Sequence, residues 1–300
     1  MQKAEKDKTR PPILYTCYSE KSSEGERFIP EHLFGYTMAG SSEVHLGGKT
    51  YDFKEGGFWF FRKNQLARFI KHPPPGGECK SISIAMDKDI LLSVNEAYNI
   101  HMERPYTGEN VLHLKSNNLL TNYIDSLTPH LYDSIQINPM LIKLKVKEAI
   151  VILLDTNPSL KDMLFDFSEP GKIDLGAYMN EHYNFNVGLD RFAYLTGRSL
   201  ATFKRDFEKT FNSSPHRWLQ HRRLTEAYYL MKEKGKKASE VYLEVGFEDL
   251  SHFSFAFKKA FGVAPSLVST VNLFPMPNFF IRDFKVDPLI SNTSAAPPLP

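Results

Sequence analysis

From Ile13 to about Leu114, apolar and polar residues alternate in short runs broken by glycine, as in FGYTMAGSSEVHLGG, KTYDFKEGGFWFFRKN and ARFIKHPPPGGECKSISIAM. Alternation of period two with closely spaced turn signals predicts a small antiparallel barrel or sandwich. After Ser116 the period lengthens. NNLLTNYIDSLTPHLY and NPMLIKLKVKEAIVILLD place apolar residues three and four apart, which predicts two amphipathic helices. In the second of them Leu141, Leu144, Ala149 and Leu153 form a stripe, suited either to packing within the molecule or to a dimer seam. Pro158, Pro170 and Gly171 punctuate the next stretch, NPSLKDMLFDFSEPGKID, and mark a linker. The expected organisation is a first domain over 11–165, with strands over 11–114 and helices over 116–165, and a helical domain over 172–268. The remainder, 269–300, is proline-rich, without sustained periodicity, and is expected to be irregular or disordered.

Within the second domain the chain repeats itself. RSLATFKRDFEKTFNSSP, from Arg198 to Pro215, lies over EDLSHFSFAFKKAFGVAP, from Glu248 to Pro265, so that Phe203, Phe207, Phe211 and Pro215 match Phe253, Phe257, Phe261 and Pro265 at a constant offset. The same apolar helix face is therefore made twice. Each copy follows a shorter amphipathic segment that ends on glycine, LDRFAYLTG at Gly197 and SEVYLEVG at Gly246. Helix, glycine turn, helix is the grammar of a helix-turn-helix, because a tight connection between crossed helices takes backbone angles that penalise a Cβ. Between the copies, Pro215 to Lys234 reads as one connecting helix, with Ser214 and Pro215 as its start and Gly235 as its stop. Such a helix would hold two readers about one duplex turn, roughly 34 Å, apart.

The helix after Gly197 has a divided surface. With Leu200, Phe203, Phe207 and Phe211 towards a core, Ala201, Thr202, Lys204, Arg205 and Lys209 point outward. Small residues let a helix sit deep in a major groove, and Lys204 and Arg205 reach guanine O6 and N7. Lys209 and Arg198 are better placed for phosphates.

Charge agrees with this division. The whole chain of 300 residues carries a formal net charge of +2, but residues 186–265 hold 14 Lys and Arg against 9 Asp and Glu, leaving the rest at −3. A basic segment on a mildly acidic body suits a polyanionic partner. The longest apolar runs fall short of the roughly 20 residues that cross a bilayer, and the charged start MQKAEKDKTRPP lacks the apolar stretch of a secretory signal, so a cytoplasmic protein with no membrane partner is expected. Cys17 and Cys79 form neither a disulfide framework nor a metal pair. No phosphate loop, GxSxG elbow, HExxH helix or Cys/His cluster occurs, so neither an enzyme nor a cofactor is expected.

Residues from about Ile173 to Leu267 resemble the AraC/XylS family of bacterial transcription regulators. The signature is EVYLEVGFEDLSHFSFAFKKAFGVAP: glycine-phenylalanine, a short polar turn, serine-x-phenylalanine, paired basic residues and phenylalanine-glycine-x-x-proline. The resemblance implies that both second helices read adjacent major-groove segments. The first would use Ala201, Thr202, Lys204 and Arg205, and the second Ser251, His252 and Phe255, with Lys258 and Lys259 on phosphates. Members often carry arginine where this chain has Phe255, and thymine-methyl contact or simple packing are the alternatives for that ring. His252 is either a DNA contact or an ordinary surface histidine.

For the front half the resemblance implies a cupin-like barrel with dimerising helices. The expected fold is thus a two-domain α+β chain: an N-terminal cupin-like antiparallel β-barrel with following helices, and a C-terminal all-α domain of two helix-turn-helix units joined by a long helix. Catalytic cupins bind metal through His-x-His…Glu and a later histidine, whereas His32, His45 and His72 are scattered, so no metal is expected. Arg62, Lys63 and Arg68 lie in the basic run FRKNQLARFIK, which is either an anionic effector site at the barrel mouth or a solvated edge strand. Trp59 and its phenylalanine neighbours read as barrel core. The function expected is a sequence-specific activator of transcription, with promoter DNA, RNA polymerase and a second copy as partners, and with a small-molecule or protein effector. The alternatives are a cupin-type metal enzyme with an accessory helical domain, and a regulator gated by a protein partner alone.

Overall fold

The computed structural model describes residues 11–100, 102, 104, 106–130 and 138–268, with the side chains of 22–27 and 130 excepted. The tail expected to be irregular, 269–300, lies outside the described residues. Two compact units are present. The first comprises the described residues up to Ile173 together with Asp190–Gly197, and the second comprises Asp174–Leu189 and the described residues from Arg198 onward.

The first unit contains nine strands: β1 (Ile13–Tyr18), β2 (Ser22–Ile29), β3 (His32–Ala39), β4 (Ser41–Leu46), β5 (Lys49–Lys54), β6 (Phe58–Phe61), β7 (Gln65–His72), β8 (Cys79–Met86) and β9 (Val111–Leu114). They form two antiparallel sheets, ordered β1-β8-β3-β6-β9 and β2-β7-β4-β5. Alternation decides which side chains fill the space between the sheets. Along β4, Ser42, Val44 and Leu46 are buried and their neighbours partly exposed. Leu33, Trp59, Phe61, Ala85 and Val111 meet Ile29, Val44, Leu46, Phe53 and Ala67 in one core. The intervening residues of the larger sheet, Phe34, Phe58, Phe60, Ile82, Ile84 and Met86, form a second core with helices. Those strands are buried on both faces, which explains the unbroken apolar run FWFF of β6.

The helices of this unit are α1 (Lys88–Tyr98), α2 (Asn118–Leu127), α3 (Pro139–Thr156) and α4 (Leu160–Leu164), followed by α6 (Leu189–Leu195) after the second unit's α5 (Leu175–His182). Two of them depart from the sequence expectation. α1 interrupts what reads as continuous strands; Asp87 caps it by accepting from the Ile90 N–H, and Asn99 ends it in the left-handed region at φ 48°. α4 occupies the stretch read as linker. Its Leu160, Met163 and Leu164 fall on one side at helical spacing and, with Phe165, join the core. In α3 the buried set is Val146, Ala149, Ile150 and Leu153, whereas Leu144 is 56% exposed, so the sequence stripe through Leu144 is rotated from the packed one.

The second unit contains α5, α7 (Leu200–Phe211), α8 (Pro215–Glu233), α9 (Ala238–Glu244) and α10 (Leu250–Phe261). The repeat is packed the same way twice. Phe203–Phe207 and Phe207–Phe211 ring centroids lie 5.5 and 4.4 Å apart, and Phe253–Phe257 and Phe257–Phe261 lie 5.6 and 4.5 Å apart. Trp218 of α8 completes the first stack at 4.5 Å from Phe211, and Tyr228 the second at 5.0 Å from Phe261. Leu200, expected towards a core, is 40% exposed, as is its repeat partner Leu250 at 38%. Each opens its helix at the first position, ahead of the packed phenylalanine stripe.

Candidate DNA-binding interface

Each of the two second helices is started by the same device. Ser199 accepts a hydrogen bond from the Thr202 N–H and Asp249 from the His252 N–H, in equivalent positions of the repeat. The glycines before them are required by geometry. Gly197 has φ +66° and Gly246 φ +90°, and a Cβ on Gly246 would stand 2.3 Å from the Asn184 carbonyl oxygen. A Cβ on Gly197 would meet the Gly171 carbonyl at 2.4 Å. The two turns expected at these glycines thus sit where the backbone leaves no room for another residue.

On α7, Ala201, Lys204, Arg205 and Lys209 are exposed, and Thr202 is half-buried with its hydroxyl 3.0 Å from that of Ser199. On α10, Ser251, His252, Phe255, Lys258 and Lys259 are exposed. The face read from periodicity on α7 and the one implied by resemblance on α10 are therefore outward in the structure, Thr202 only in part. Arg198 differs. Its side chain is 7% exposed and its Nε lies 3.1 Å from an Asp206 carboxylate oxygen, so it braces the helix from within and does not present a charge to solvent. Arg205 is 67% exposed, with its Nε 3.8 Å from Asp206.

Two further arginines that periodicity did not single out are structural. Arg223 of α8 donates to the carbonyls of Tyr183 at 2.8 Å, Phe185 at 2.8 Å and Gly246 at 3.0 Å, using its planar fork to tie the second turn to the chain after α5. Arg222 lies 4.1 Å over the Tyr183 ring and pairs with Glu226. With Arg198, they account for part of the basic surplus of this domain. The signal for Arg223 in the sequence would have been its position on the inner side of α8, one residue from the Leu224 that faces the core.

The basic run of the barrel is divided by the fold. Arg62 pairs with Asp166 at 3.0 Å, and Lys63 donates to the Asp166 carbonyl oxygen. Burial alone would raise the Asp166 carboxyl; hydrogen bonds from Ser168 and the charges of Arg62 and Lys63 overcome it and hold the group low. Arg68 stands on β7 opposite His45. β7 lies between β2 and β4, so the strand is interior to its sheet and the edge-strand alternative does not hold. The residue of this run that faces the barrel interior is Lys71, 6% exposed, with its Nζ 3.4 Å from the Ser81 hydroxyl. It lines a cavity of about 30 Å³ together with Thr16, Ser42, Ser81, Ser83 and Trp59. Among the described residues no group of three or more His, Cys, Asp or Glu is placed to hold a metal ion, and no helix is long and apolar enough to cross a membrane.

A barrel unit joined to a twice-made helix-turn-helix defines a DNA-binding transcription regulator. Comparison with known proteins agrees. Residues 192–269 match the helix-turn-helix domain model and residues 32–163 the ExsA N-terminal regulatory domain model. The chain is 29% identical over 130 residues to the HTH-type transcriptional regulator ExsA of Pseudomonas aeruginosa, a stretch covering 43% of this chain and 47% of that protein. It is 24% identical over 235 residues to the thermoregulatory protein LcrF of Yersinia pestis, covering 76% of this chain and 85% of LcrF. Among solved structures, an apo form of ToxT from Vibrio cholerae aligns over 87% of this chain and 98% of its own, at 13% identity and a TM-score of 0.43. The chain thus combines a helix-turn-helix domain of the AraC type with an ExsA-type N-terminal regulatory domain.

Proposed function

We propose that this protein is a sequence-specific activator that reads two adjacent major-groove segments of promoter DNA, binding as a homodimer and acting on RNA polymerase. The observation that carries this reading is the duplicated geometry: two helices, capped alike and packed alike, each bearing an exposed face at the same register. α7 reads bases through Ala201, Thr202, Lys204 and Arg205, and α10 through Ser251, His252 and Phe255. Lys209, Lys258 and Lys259 hold phosphates. The dimer forms through the exposed side of α3, where Met140, Leu144 and Val151 lie 71%, 56% and 41% exposed at helical spacing.

Control by a partner protein is favoured over control by a metabolite. The barrel cavity of about 30 Å³ has room for two or so waters, since each needs about 10–15 Å³ by this measure. Arg62 and Lys63, the residues suited to an anionic effector, are engaged with Asp166.

Footprinting of the full chain on its promoter tests the reading. A protected site spanning two successive major grooves is expected, with affinity falling steeply as salt rises. Arg205→Ala should cost about 1–3 kcal/mol and relax the choice at one base pair, while Lys209→Ala weakens all sequences alike. Binding without sequence preference would overturn the proposal.

A further inference from the structure

The two reading helices differ at several register positions, and at one of them a charged hydrogen-bond donor is exchanged for an apolar ring. At the repeat offset, Phe255 of α10 stands where α7 has Arg205. Both are strongly exposed, the Arg205 side chain at 67% and Phe255 at 70%. The other three phenylalanines of α10's packed stripe, Phe253, Phe257 and Phe261, are buried at 8% exposure or less. Phe255 therefore does not serve the core, and it is surrounded on its face by Ser251, His252, Lys258 and Lys259, all exposed. A bare phenyl ring beside two lysines has an apolar face ready to be covered and charges ready to fix a polyanion around it.

A phenyl ring neither donates nor accepts a hydrogen bond, so it cannot use the O6, N7, N6, N4 or O4 groups that distinguish bases in the major groove. The one apolar group displayed there is the thymine C5-methyl. We propose that Phe255 is a specificity-determining residue that selects thymine by packing on its methyl group, so that one half of the site is read by guanidinium on guanine and the other by phenyl on thymine. This rests on the reading that α10 enters the major groove.

The test uses the full chain and its footprinted site. Each thymine under α10 is replaced singly by 2′-deoxyuridine, which removes the methyl and leaves base pairing intact. One such replacement should weaken wild-type binding about fourfold, as expected for one buried methyl, and leave Phe255→Ala binding unchanged. Phe255→Arg should shift the preferred base at that position from thymine to guanine. If no replacement weakens the wild type while binding stays sequence-specific, the methyl contact is refuted and the DNA reading stands. If the deoxyuridine penalty persists in Phe255→Ala, another residue reads the methyl and the proposal is likewise refuted. Unchanged DNA affinity of Phe255→Ala with lost transcription activation would make the ring a protein contact and refute it too. Loss of sequence preference in the wild type would instead overturn the underlying reading. Because Phe255 is exposed, equal thermal melts of wild type and variant are expected and show that the substitution leaves the fold intact.

Discussion

His32 illustrates how a single side chain couples the barrel to pH. It is 1% exposed, its ring lies 5.7 Å from that of Phe60, and its Nδ1 accepts from the Lys63 N–H at 3.3 Å. That bond places the ring proton on Nε2, which has no partner among the described residues. Burial first, then the charges of Lys63 and Arg62, push its pKa down to about 3. The folded protein thus keeps the ring neutral while the unfolded chain takes a proton below about 6.5. Stability from this group is fully present above pH 6.5 and is lost as pH falls towards 3, amounting to about 2 kcal/mol at pH 5. His32→Asn keeps an acceptor for the Lys63 N–H and removes the titration. Urea unfolding at pH 7 and pH 5 should show a smaller pH-dependent loss in this variant than in the wild type; equal losses would assign the acid sensitivity elsewhere. Other residues at this scale were legible only in part. Periodicity identified Lys204 and Arg205 as outward and the family resemblance added Phe255, but neither could place Arg198 inside, because Asp206 is two helical turns along and only the packed helix brings the two together.

Among the elements, the caps separate helices that look alike in sequence. Ser199, Ser214 and Asp249 all precede helices, yet the Ser214 side chain makes no capping bond at the start of α8, whereas Asp249 accepts from the His252 N–H at 2.7 Å. Pro215, at the first position of α8, presets the helical angle and so starts the helix without a side-chain cap. Asp249→Ala is expected to cost about 1 kcal/mol and Ser214→Ala less than about 0.5 kcal/mol in thermal or urea unfolding. Equal costs would contradict this account. α7, α8 and α10 were readable because each carries a long stripe of one period with strong end signals. α1, α4 and α5 were not, since none belongs to the repeat and each adjoins a strand or the breakers Pro158, Pro170 and Gly171.

For the whole molecule, the proposed dimer gives the most direct check. Leu144→Glu places a charge on the exposed side of α3 without touching Val146, Ala149, Ile150 or Leu153, which are buried. It is expected to convert the dimer to a monomer in sedimentation at micromolar concentration while leaving the melting temperature within a few degrees; an unchanged sedimentation coefficient would remove α3 from the interface. What the sequence by itself determined is local and periodic: the strand alternation, the duplicated phenylalanine stripe, the turn glycines, and the face on which Lys204, Arg205 and Phe255 stand. These follow from backbone periods of 2 and 3.6 residues and from the steric cost of a Cβ at positive φ. Only the tertiary structure decided the fate of the charges. Arg223 reaches carbonyls 23 to 40 residues away, Arg62 meets Asp166 104 residues on, and Lys71 turns into the barrel rather than out. A long, flexible cation takes whichever acceptor folding brings near, and that choice is written in contacts between distant segments.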